Sequence, residues 1–392
     1  KKKRMKLFII GGTGVLSSDV VKECLNNGDE LYILNRGHHK EDIPNDSNCH
    51  LVIGDIRDTE NTRTAVNASK FDVVIDFLSF TPEQLENTYR IFAPLCKQYV
   101  FISTCCVFER KLEDGIITEK SPKPNKFNSY GYEKYQCELR LEQLNKEYES
   151  NYTIVRPYIT YGNTRIPFGL APLERYHWTI IGRILVNKPF FIWDCGLNKC
   201  NLLNTRDFAR LLYLLLLNPK AYNQDINVTG NNICEWIDVL NVLYGYLDRD
   251  LSSIVNIPKG KIAEELPEYK ESLLGDRSLD GVFDTRKLLE IAPNAIKVYD
   301  NALSLKDGII KTIESYRENG YYKGIDYRYD ARIDRLIANY LPRKDKRRKR
   351  IKFVDYLRNC SRHDRLVYLF FRYMPNKMVE FLAHIKHVIN GL

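Results

Sequence analysis

The chain has 392 residues, with 59 lysines and arginines against 50 aspartates and glutamates, a formal net charge of +9. Hydrophobic residues make up 44% of the chain and charged residues 28%, a globular balance that excludes disordered and collagen-like proteins. The longest apolar run, residues 211–217, is too short to span a bilayer. The apolar segment near the start ends at once in a glycine loop, so we expect no secretory signal and a cytoplasmic protein.

The charge is unevenly distributed along the chain. Residues 321–392 hold 18 lysines and arginines against 7 aspartates and glutamates, a net charge of +11, which leaves −2 for the first 320 residues. Such asymmetry is typical of a near-neutral body with a separate basic extension. The length allows two or three domains, since a domain takes about 150 residues.

The first 160 residues alternate short apolar runs with longer amphipathic segments. This alternation predicts βαβ units and a parallel sheet covered by helices on both faces. We therefore expect a doubly wound α/β Rossmann domain over residues 5–162. Its predicted strands are 6–10, 30–34, 51–53, 71–77, 99–102 and 152–155, and its predicted helices are 15–26, 59–68, one that Thr81 caps with Pro82 in its first turn, and 130–148.

Beyond Gly162 the pattern loosens. It predicts a smaller α/β domain over residues 163–319, some segments of which return to the Rossmann core, and then a basic helical extension over 320–392. The predicted helices are 175–186, 205–217, 232–247 and 300–318, the predicted short strands are 190–193, 201–203 and 225–228, and the extension holds predicted helices at 331–340, 364–373 and 377–389.

The first predicted strand runs into a glycine-rich turn that opens a helix. Glycines allow a tight turn and let the backbone approach a pyrophosphate, and the helix N-terminus supplies N–H donors and a partial positive charge. The position of the turn between a strand and a helix predicts dinucleotide binding. The residues concerned are Gly11, Gly12, Thr13, Gly14, Val15 and Leu16.

The end of the second strand bears on the choice of cofactor. An acidic residue there would bind the ribose 2′-hydroxyl of NAD, but this chain has Asn35 followed by Arg36. The forked guanidinium of an arginine suits a 2′-phosphate, so we expect NADP, with NAD as the alternative. After the next two strands, further residues are expected beside the cofactor: Asp55 and Ile56 near the adenine, and Phe77, Leu78 and Ser79 near the nicotinamide.

A tyrosine and a lysine stand four residues apart on one helix face. They are Tyr130 and Lys134, and Thr104 lies upstream at the end of a strand. A cationic lysine near a phenol lowers the pKa of the phenol toward neutrality, which makes it a usable acid and base. Thr104 could hydrogen-bond the substrate oxygen with which the tyrosine exchanges its proton.

The motifs together resemble the extended short-chain dehydrogenase/reductase family of NAD(P)-dependent sugar-nucleotide epimerases, dehydratases and reductases. The resemblance covers residues 5–318 and implies that Tyr130 exchanges the proton, that Thr104 orients the reacting oxygen, and that Ser103, Tyr130 and Lys134 contact the cofactor. It also implies that residues 163–319 mainly bind the substrate. The matching segments are GGTGVLS at 11–17, GDIRD at 54–58, STCCVF at 103–108, YGYEK at 130–134, RPYITYG at 156–162 and NTRD at 204–207.

The residues after Thr104 bear on the reaction type. Sugar-nucleotide 4,6-dehydratases carry an Asp-Glu pair there, whereas this chain has Cys105 and Cys106, which argues against 4,6-dehydration. The resemblance to GDP-fucose synthase and GDP-mannose 3,5-epimerase implies that Cys106 and His177 could form an acid/base pair for carbon epimerisation. C4 epimerisation or keto reduction by Tyr130 alone stays open.

Substrate contacts are expected where the family binds a nucleotide diphosphate, because arginine suits a pyrophosphate. We expect a nucleotide-sugar substrate, and no metal site, since His384 and His387 have no cysteine or carboxylate partners in the pattern. The candidate substrate residues are Arg183, Trp193, Arg206 and Arg277.

The basic extension admits three interpretations. The run Lys344–Arg350 carries six positive charges in seven residues. It could be a solvated linker, or it could contact an anionic membrane surface together with the rest of residues 343–373. The least favoured interpretation is a contact with nucleic acid. The membrane interpretation would place the protein peripherally at the inner membrane surface. The apolar pattern of 364–389 also predicts a homo-oligomer.

Two other functions remain open. One is a catalytically weak RNA-binding or scaffolding protein on the same fold, since plastid RNA-binding relatives resemble this chain in the Leu-Asn-Arg-Gly segment at 34–37. The other is a reductase of a non-sugar ketone. The presence of Thr104, Tyr130 and Lys134 favours an enzyme.

Overall fold

The computed structural model describes residues 4–37, 42–110, 115–148, 150–319, 324–356, 360–375 and 378. The chain divides into two compact units. The first unit comprises Lys1–Asn163, Lys199–Cys234 and Leu279–Gly308, and the second comprises Thr164–Asn198, Glu235–Ser278 and Ile309–Leu392. Within the described ranges no helix combines the length and the apolar character that crossing a bilayer requires.

Up to residue 157 strands and α-helices alternate in the described part of the chain, except between residues 35 and 49, where the described residues form no α-helix. The strands are β1 Lys6–Ile10, β2 Glu30–Asn35, β3 Cys49–Ile53, β4 Phe71–Asp76, β5 Cys96–Ile102, β6 Asn151–Pro157, β7 Thr160–Tyr161, β8 Phe190–Trp193, β9 Lys199–Cys200, β10 Leu203–Asn204, β11 Gln224–Val228, β12 Cys234–Glu235 and β13 Ile254–Ile257. The α-helices are α1 Val15–Asn26, α2 Thr59–Val66, α3 Pro82–Phe92, α4 Ser129–Tyr148, α5 Trp178–Leu185, α6 Thr205–Tyr213, α7 Trp236–Tyr246, α8 Lys259–Glu265, α9 Lys270–Ser272, α10 Arg286–Ile291, α11 Ala295–Asp300, α12 Leu305–Asn319, α13 Tyr327–Tyr340 and α14 Arg362–Tyr373.

A seven-stranded parallel sheet forms the first unit, in the order β11-β6-β5-β4-β1-β2-β3. Successive side chains of a strand point to opposite faces, and β1 shows this clearly. Leu7 and Ile9 join the apolar cluster that contains α1 and α6, whereas Phe8 and Ile10 join the cluster that contains α3 and α4. Both faces of the sheet are therefore buried, which confirms the doubly wound α/β prediction.

Local capping explains several helix boundaries. The Thr81 hydroxyl accepts a hydrogen bond from the Gln84 N–H, with Pro82 in the first turn, as the sequence predicts. The helix predicted from residue 300 begins only at Leu305, because the Ser304 hydroxyl accepts from the Asp307 N–H. The segment predicted as a strand at 225–228 forms β11 at the edge of the main sheet, paired in parallel with β6.

The second unit contains the paired strands β8 and β13 and part of the basic extension. Helix α13 begins at Tyr327, four residues before the predicted start, and the carboxylate of Asp326 caps it. Its residues Asp330 and Asp334 are fully buried against Arg183 and Lys188 of the same unit. Residues 327–341 are therefore an integral part of the second unit. The helix predicted at 377–389 lies outside the described residues, apart from Met378.

Candidate cofactor and catalytic site

The glycine-rich turn connects β1 to α1 in a space that larger residues could not occupy. Gly11 has a φ of +90°, and a Cβ there would lie 2.7 Å from Cγ of Leu78. A Cβ on Gly12 would lie 2.6 Å from Cγ2 of Ile33. The first N–H groups of α1 lack partners within the helix, as at every helix start. The turn thus offers the backbone approach and the donors that a pyrophosphate requires.

Two guanidinium groups and one carboxylate follow the ends of β2 and β3. Asn35 donates from Nδ2 to Oγ1 of Thr13 over 2.9 Å, so its side chain holds the glycine-rich turn. Arg36 is exposed. Asp55 binds Arg57 through two hydrogen bonds of 2.5 and 3.0 Å, which, with a smaller contribution from Arg36, lower the pKa of its carboxyl group to about 2. Two guanidinium groups, Arg36 and Arg57, are therefore close to the place expected for the adenosine ribose.

Lys134 links the loop after β4 to the end of β5. Its ammonium donates to the carbonyl oxygens of Ser79, over 2.8 Å, and Ile102, over 2.7 Å, and lies 4.3 Å from the centroid of the Phe101 ring. Burial lowers the pKa of Lys134 to about 8, an effect that the Asp76 carboxylate partly opposes. The group is thus cationic at neutral pH but close to its titration range.

Asp76 shapes the loop that follows β4. Its carboxylate accepts hydrogen bonds from the backbone N–H groups of Leu78 and Ser79, over 2.9 and 3.1 Å, and from the Tyr99 hydroxyl, over 2.7 Å. The loop Phe77–Ser79, predicted beside the nicotinamide, is therefore fixed by a buried carboxylate. Sequence reasoning missed Asp76, although a charge that closes the apolar run FDVVID was a usable signal.

Gly131 allows the start of α4 to approach the turn that follows β5. A Cβ on Gly131 would lie 2.1 Å from the carbonyl oxygen of Cys106, so only glycine permits this contact. Within the turn the Thr104 hydroxyl accepts from the Cys106 N–H over 3.2 Å. Tyr130, half exposed, precedes Gly131 directly. The packing thus places Tyr130 beside the turn that carries Thr104 and Cys106. Sequence reasoning missed this role of Gly131.

A buried ionic network lies behind this turn. The Ser103 hydroxyl donates to Glu138 over 2.6 Å, and Arg156 binds the same carboxylate through two hydrogen bonds of 2.7 and 2.6 Å. Arg156 also donates to Asp225 over 2.7 Å. The Ser103 hydroxyl, predicted beside the cofactor, is therefore engaged with Glu138, and the network fixes the ends of β5 and β6.

His177 lies in the second unit, at the N-terminus of α5. Its Nδ1 accepts from the Ile166 N–H over 2.9 Å, and burial lowers the pKa of the imidazole to about 3. The ring is therefore neutral at physiological pH. This environment disfavours His177 as a proton donor.

The predicted substrate residues differ in their surroundings. Arg183 is fully buried and its charge is balanced by Asp330 and Asp334, so its environment offers no support for a role in binding a diphosphate. Trp193 is also fully buried, and its Nε1 donates to the carbonyl oxygen of Arg277 over 3.1 Å. Arg277 pairs with Asp276, and Arg206 is exposed in the first turn of α6.

Comparisons with known proteins agree with this architecture. A model of the NAD-dependent epimerase/dehydratase family matches residues 7–229, more than half of the chain. Over 242 residues the chain is 23% identical to the chloroplast stem-loop binding protein of 41 kDa b from Arabidopsis thaliana, with 57% of this chain and 58% of that protein covered. The match thus spans less than two thirds of that relative's length.

Solved structures show the same fold. An epimerase from Methanothermobacter thermautotrophicus superposes with a TM-score of 0.65 at 16% identity, covering 81% of this chain and 94% of its own. The UDP-glucose 4-epimerase of Thermus thermophilus, in complex with NAD, superposes with a TM-score of 0.62 at 18% identity, covering 80% and 99%. The chain therefore belongs to the NAD-dependent epimerase/dehydratase family, of the extended short-chain dehydrogenase/reductase type.

Proposed function

We propose that the protein is a nicotinamide-dependent epimerase or keto-reductase of a nucleotide sugar, with Tyr130, Lys134 and Thr104 as its catalytic residues. The observation that carries this proposal is the contact of Gly131 with Cys106, which brings the first turn of α4 to the turn after β5. The phenol of Tyr130, the ammonium of Lys134 and the hydroxyl of Thr104 then act together on one substrate oxygen. The nicotinamide, when bound, supplies hydride transfer.

Each of the three residues has a distinct task. Tyr130 exchanges a proton with the substrate oxygen, and Thr104 hydrogen-bonds the same oxygen. Lys134, cationic below its pKa of about 8, favours the phenolate form of Tyr130. Because two backbone carbonyls hold Lys134, one in the loop after β4 and one at the end of β5, its position is set by the backbone.

The cofactor is NADP, with NAD as the alternative. No acidic side chain ends β2, and Arg36 and Arg57 lie near the expected ribose. The Thermus epimerase binds NAD, so the choice has to be tested directly. Titration of the protein with each cofactor should give a lower Kd for NADP than for NAD. Arg36→Ala should weaken the binding of NADP and leave the binding of NAD nearly unchanged. An equal loss for both cofactors would contradict the preference.

The reaction is C4 epimerisation or keto reduction through Tyr130. The alternative pair of Cys106 and His177 is disfavoured because His177 is neutral and buried. Incubation with a panel of nucleotide sugars in D₂O separates these reactions. Absence of label, with transiently reduced cofactor, supports chemistry at C4, whereas label at C3 or C5 would support Cys106 as an acid/base.

Removal of the phenol tests the catalytic assignment. Tyr130→Phe should lower kcat by about 10²–10⁴-fold, the usual contribution of a general acid/base. Tyr132→Phe is the matched control, because Tyr132 is a comparably exposed tyrosine on the same helix. Equal activities of the two variants would refute the role of Tyr130.

The relative that binds a chloroplast stem-loop supports one other function, an RNA-binding protein on the same fold. RNA binding that falls steeply with salt, together with no turnover over the nucleotide-sugar panel, would favour it. A reductase of a non-sugar ketone makes a different prediction. Since such a substrate has no diphosphate, Arg206→Ala should leave its KM unchanged.

A further inference from the structure

An apolar stripe runs along the exposed face of α14. Its four members are spaced at three and four residues, which places them on one side of the helix. The opposite side faces the protein, because Tyr368 is buried and its hydroxyl donates to Asp334 over 2.5 Å. The stripe consists of Leu366, Leu369, Phe370 and Tyr373, whose exposed fractions are 65%, 40%, 41% and 75%.

Cationic side chains lie on α14 and on the segment that packs beside it. Arg362 and Arg365 are exposed on α14 itself. The ring of Phe353 lies 5.3 Å from that of Tyr368 and 5.7 Å from the guanidinium of Arg365, so the end of the basic run lies beside the helix. The exposed cations of that run are Arg343, Lys344, Lys346, Lys349, Arg350 and Lys352.

The charge decides between the surfaces that could cover the stripe. Residues 343–372 hold twelve lysines and arginines against three aspartates, so a second copy of the chain would bring like charges together. A bilayer that contains anionic lipids offers both an apolar boundary and negative charge. Tyrosine at the edge of such a stripe suits the headgroup level.

We propose that α14 and the basic run 343–352 form a docking surface for an anionic lipid bilayer. The helix lies along the membrane surface with the stripe at the boundary of headgroups and acyl chains, while the cations contact lipid phosphates and carboxylates. This proposal does not depend on the reaction that the first unit performs.

Co-sedimentation of the full-length protein with vesicles tests the proposal. Vesicles of phosphatidylcholine with about 30% phosphatidylserine should bind the protein, and raising the salt from about 0.05 to 0.5 M should release most of it. Vesicles of phosphatidylcholine alone should bind it about tenfold less.

Single substitutions locate the surface. Leu366→Glu and Phe370→Glu should each lower binding to the anionic vesicles about tenfold, and Lys349→Glu should lower it to a smaller degree. Leu173→Glu is the matched control, since Leu173 is 69% exposed and lies outside the extension. Circular dichroism and the thermal midpoint verify that each variant is folded.

Four results would overturn the proposal. They are equal binding to neutral and anionic vesicles, no binding to either, equal binding of the Leu366→Glu and Leu173→Glu variants, and a dimer in solution that Leu366→Glu dissociates. The last result would assign the stripe to a second copy of the chain. A fifth result, release of the protein from the vesicles by added RNA together with no effect of Leu366→Glu, would also overturn the proposal and assign the cations to nucleic acid.

Discussion

At the scale of single residues, burial sets the charge of Lys134. The side chain titrates from cation to neutral amine near pH 8, because burial lowers its pKa from 10.5 to about 8. In the proposed mechanism, its positive charge below that pH favours the phenolate form of Tyr130. Above it the charge is lost, and the phenol becomes harder to ionise.

We therefore expect kcat/KM to fall as the pH rises through about 8. In Lys134→Met this alkaline limb should disappear together with most of the activity. Cofactor affinity is measured in parallel, so that weaker cofactor binding is not mistaken for the titration. A native profile that stays level up to pH 10 would contradict the proposed role of Lys134.

Gly131 gives a second prediction at this scale. Gly131→Ala should strongly lower kcat, because the new Cβ would meet the Cys106 carbonyl at 2.1 Å and move α4 away from Thr104. Gly245→Ala is the control, since Gly245 also lies in a helix but has open space around it. It should instead gain about 1 kcal/mol of stability, from the higher helix propensity of alanine. Steady-state kinetics and thermal unfolding measure both effects.

Individual residues differ in how far the sequence predicts them. Tyr130 and Lys134 can be identified because their spacing of four residues, which places both on one face of a helix, can be read directly from the sequence. The resemblance to the family makes Arg183 a candidate substrate residue, whereas its ion pair with Asp330, 147 positions away, is a contact that no local pattern reveals. The role of Gly131 has no local pattern either, because its contact with Cys106 exists only after folding.

At the scale of secondary-structure elements, alternating apolar patterns predict the sheet well. The strand β1 and the helix α1 have the predicted bounds, because a glycine turn separates them and Gly28 follows the helix. The sequence predicts too late a start for helix α13, at residue 331, because buried charged residues interrupt its apolar pattern. The ion pairs that make their burial tolerable involve α5 and the loop after it.

The ionic cluster on α13 should be costly to disturb. Asp330→Asn leaves Arg183 and Lys188 with one carboxylate between them, and uncompensated buried charge typically costs about 3–5 kcal/mol. Urea unfolding should show a loss of this order. Lys261→Ala, which breaks an exposed pair with Glu264, should leave the unfolding midpoint unchanged. If Asp330→Asn behaved like this control, α13 would contribute little to the second unit.

At the scale of the whole molecule, the net charge of +9 divides between a near-neutral body and a basic extension. The sequence suggests that the extension is separate, because charge and composition change together near residue 320. The structure places α13 within the second unit, where it buries two carboxylates against two cations. A change in composition along a chain therefore does not always mark a structural boundary.

Deletion of residues 324–392 tests whether the extension is an integral part of the second unit or a separate appendage. Without α13, Arg183 and Lys188 would be buried with no carboxylate of that helix to balance them, so the second unit should fail to fold. The sheet of the first unit has its own two apolar clusters and should persist. Hydrogen exchange read by mass spectrometry should then show protection in β1–β6 and none in α5 and β8. Native-like protection of α5 in the shortened chain would mean that the extension is a separate appendage after all.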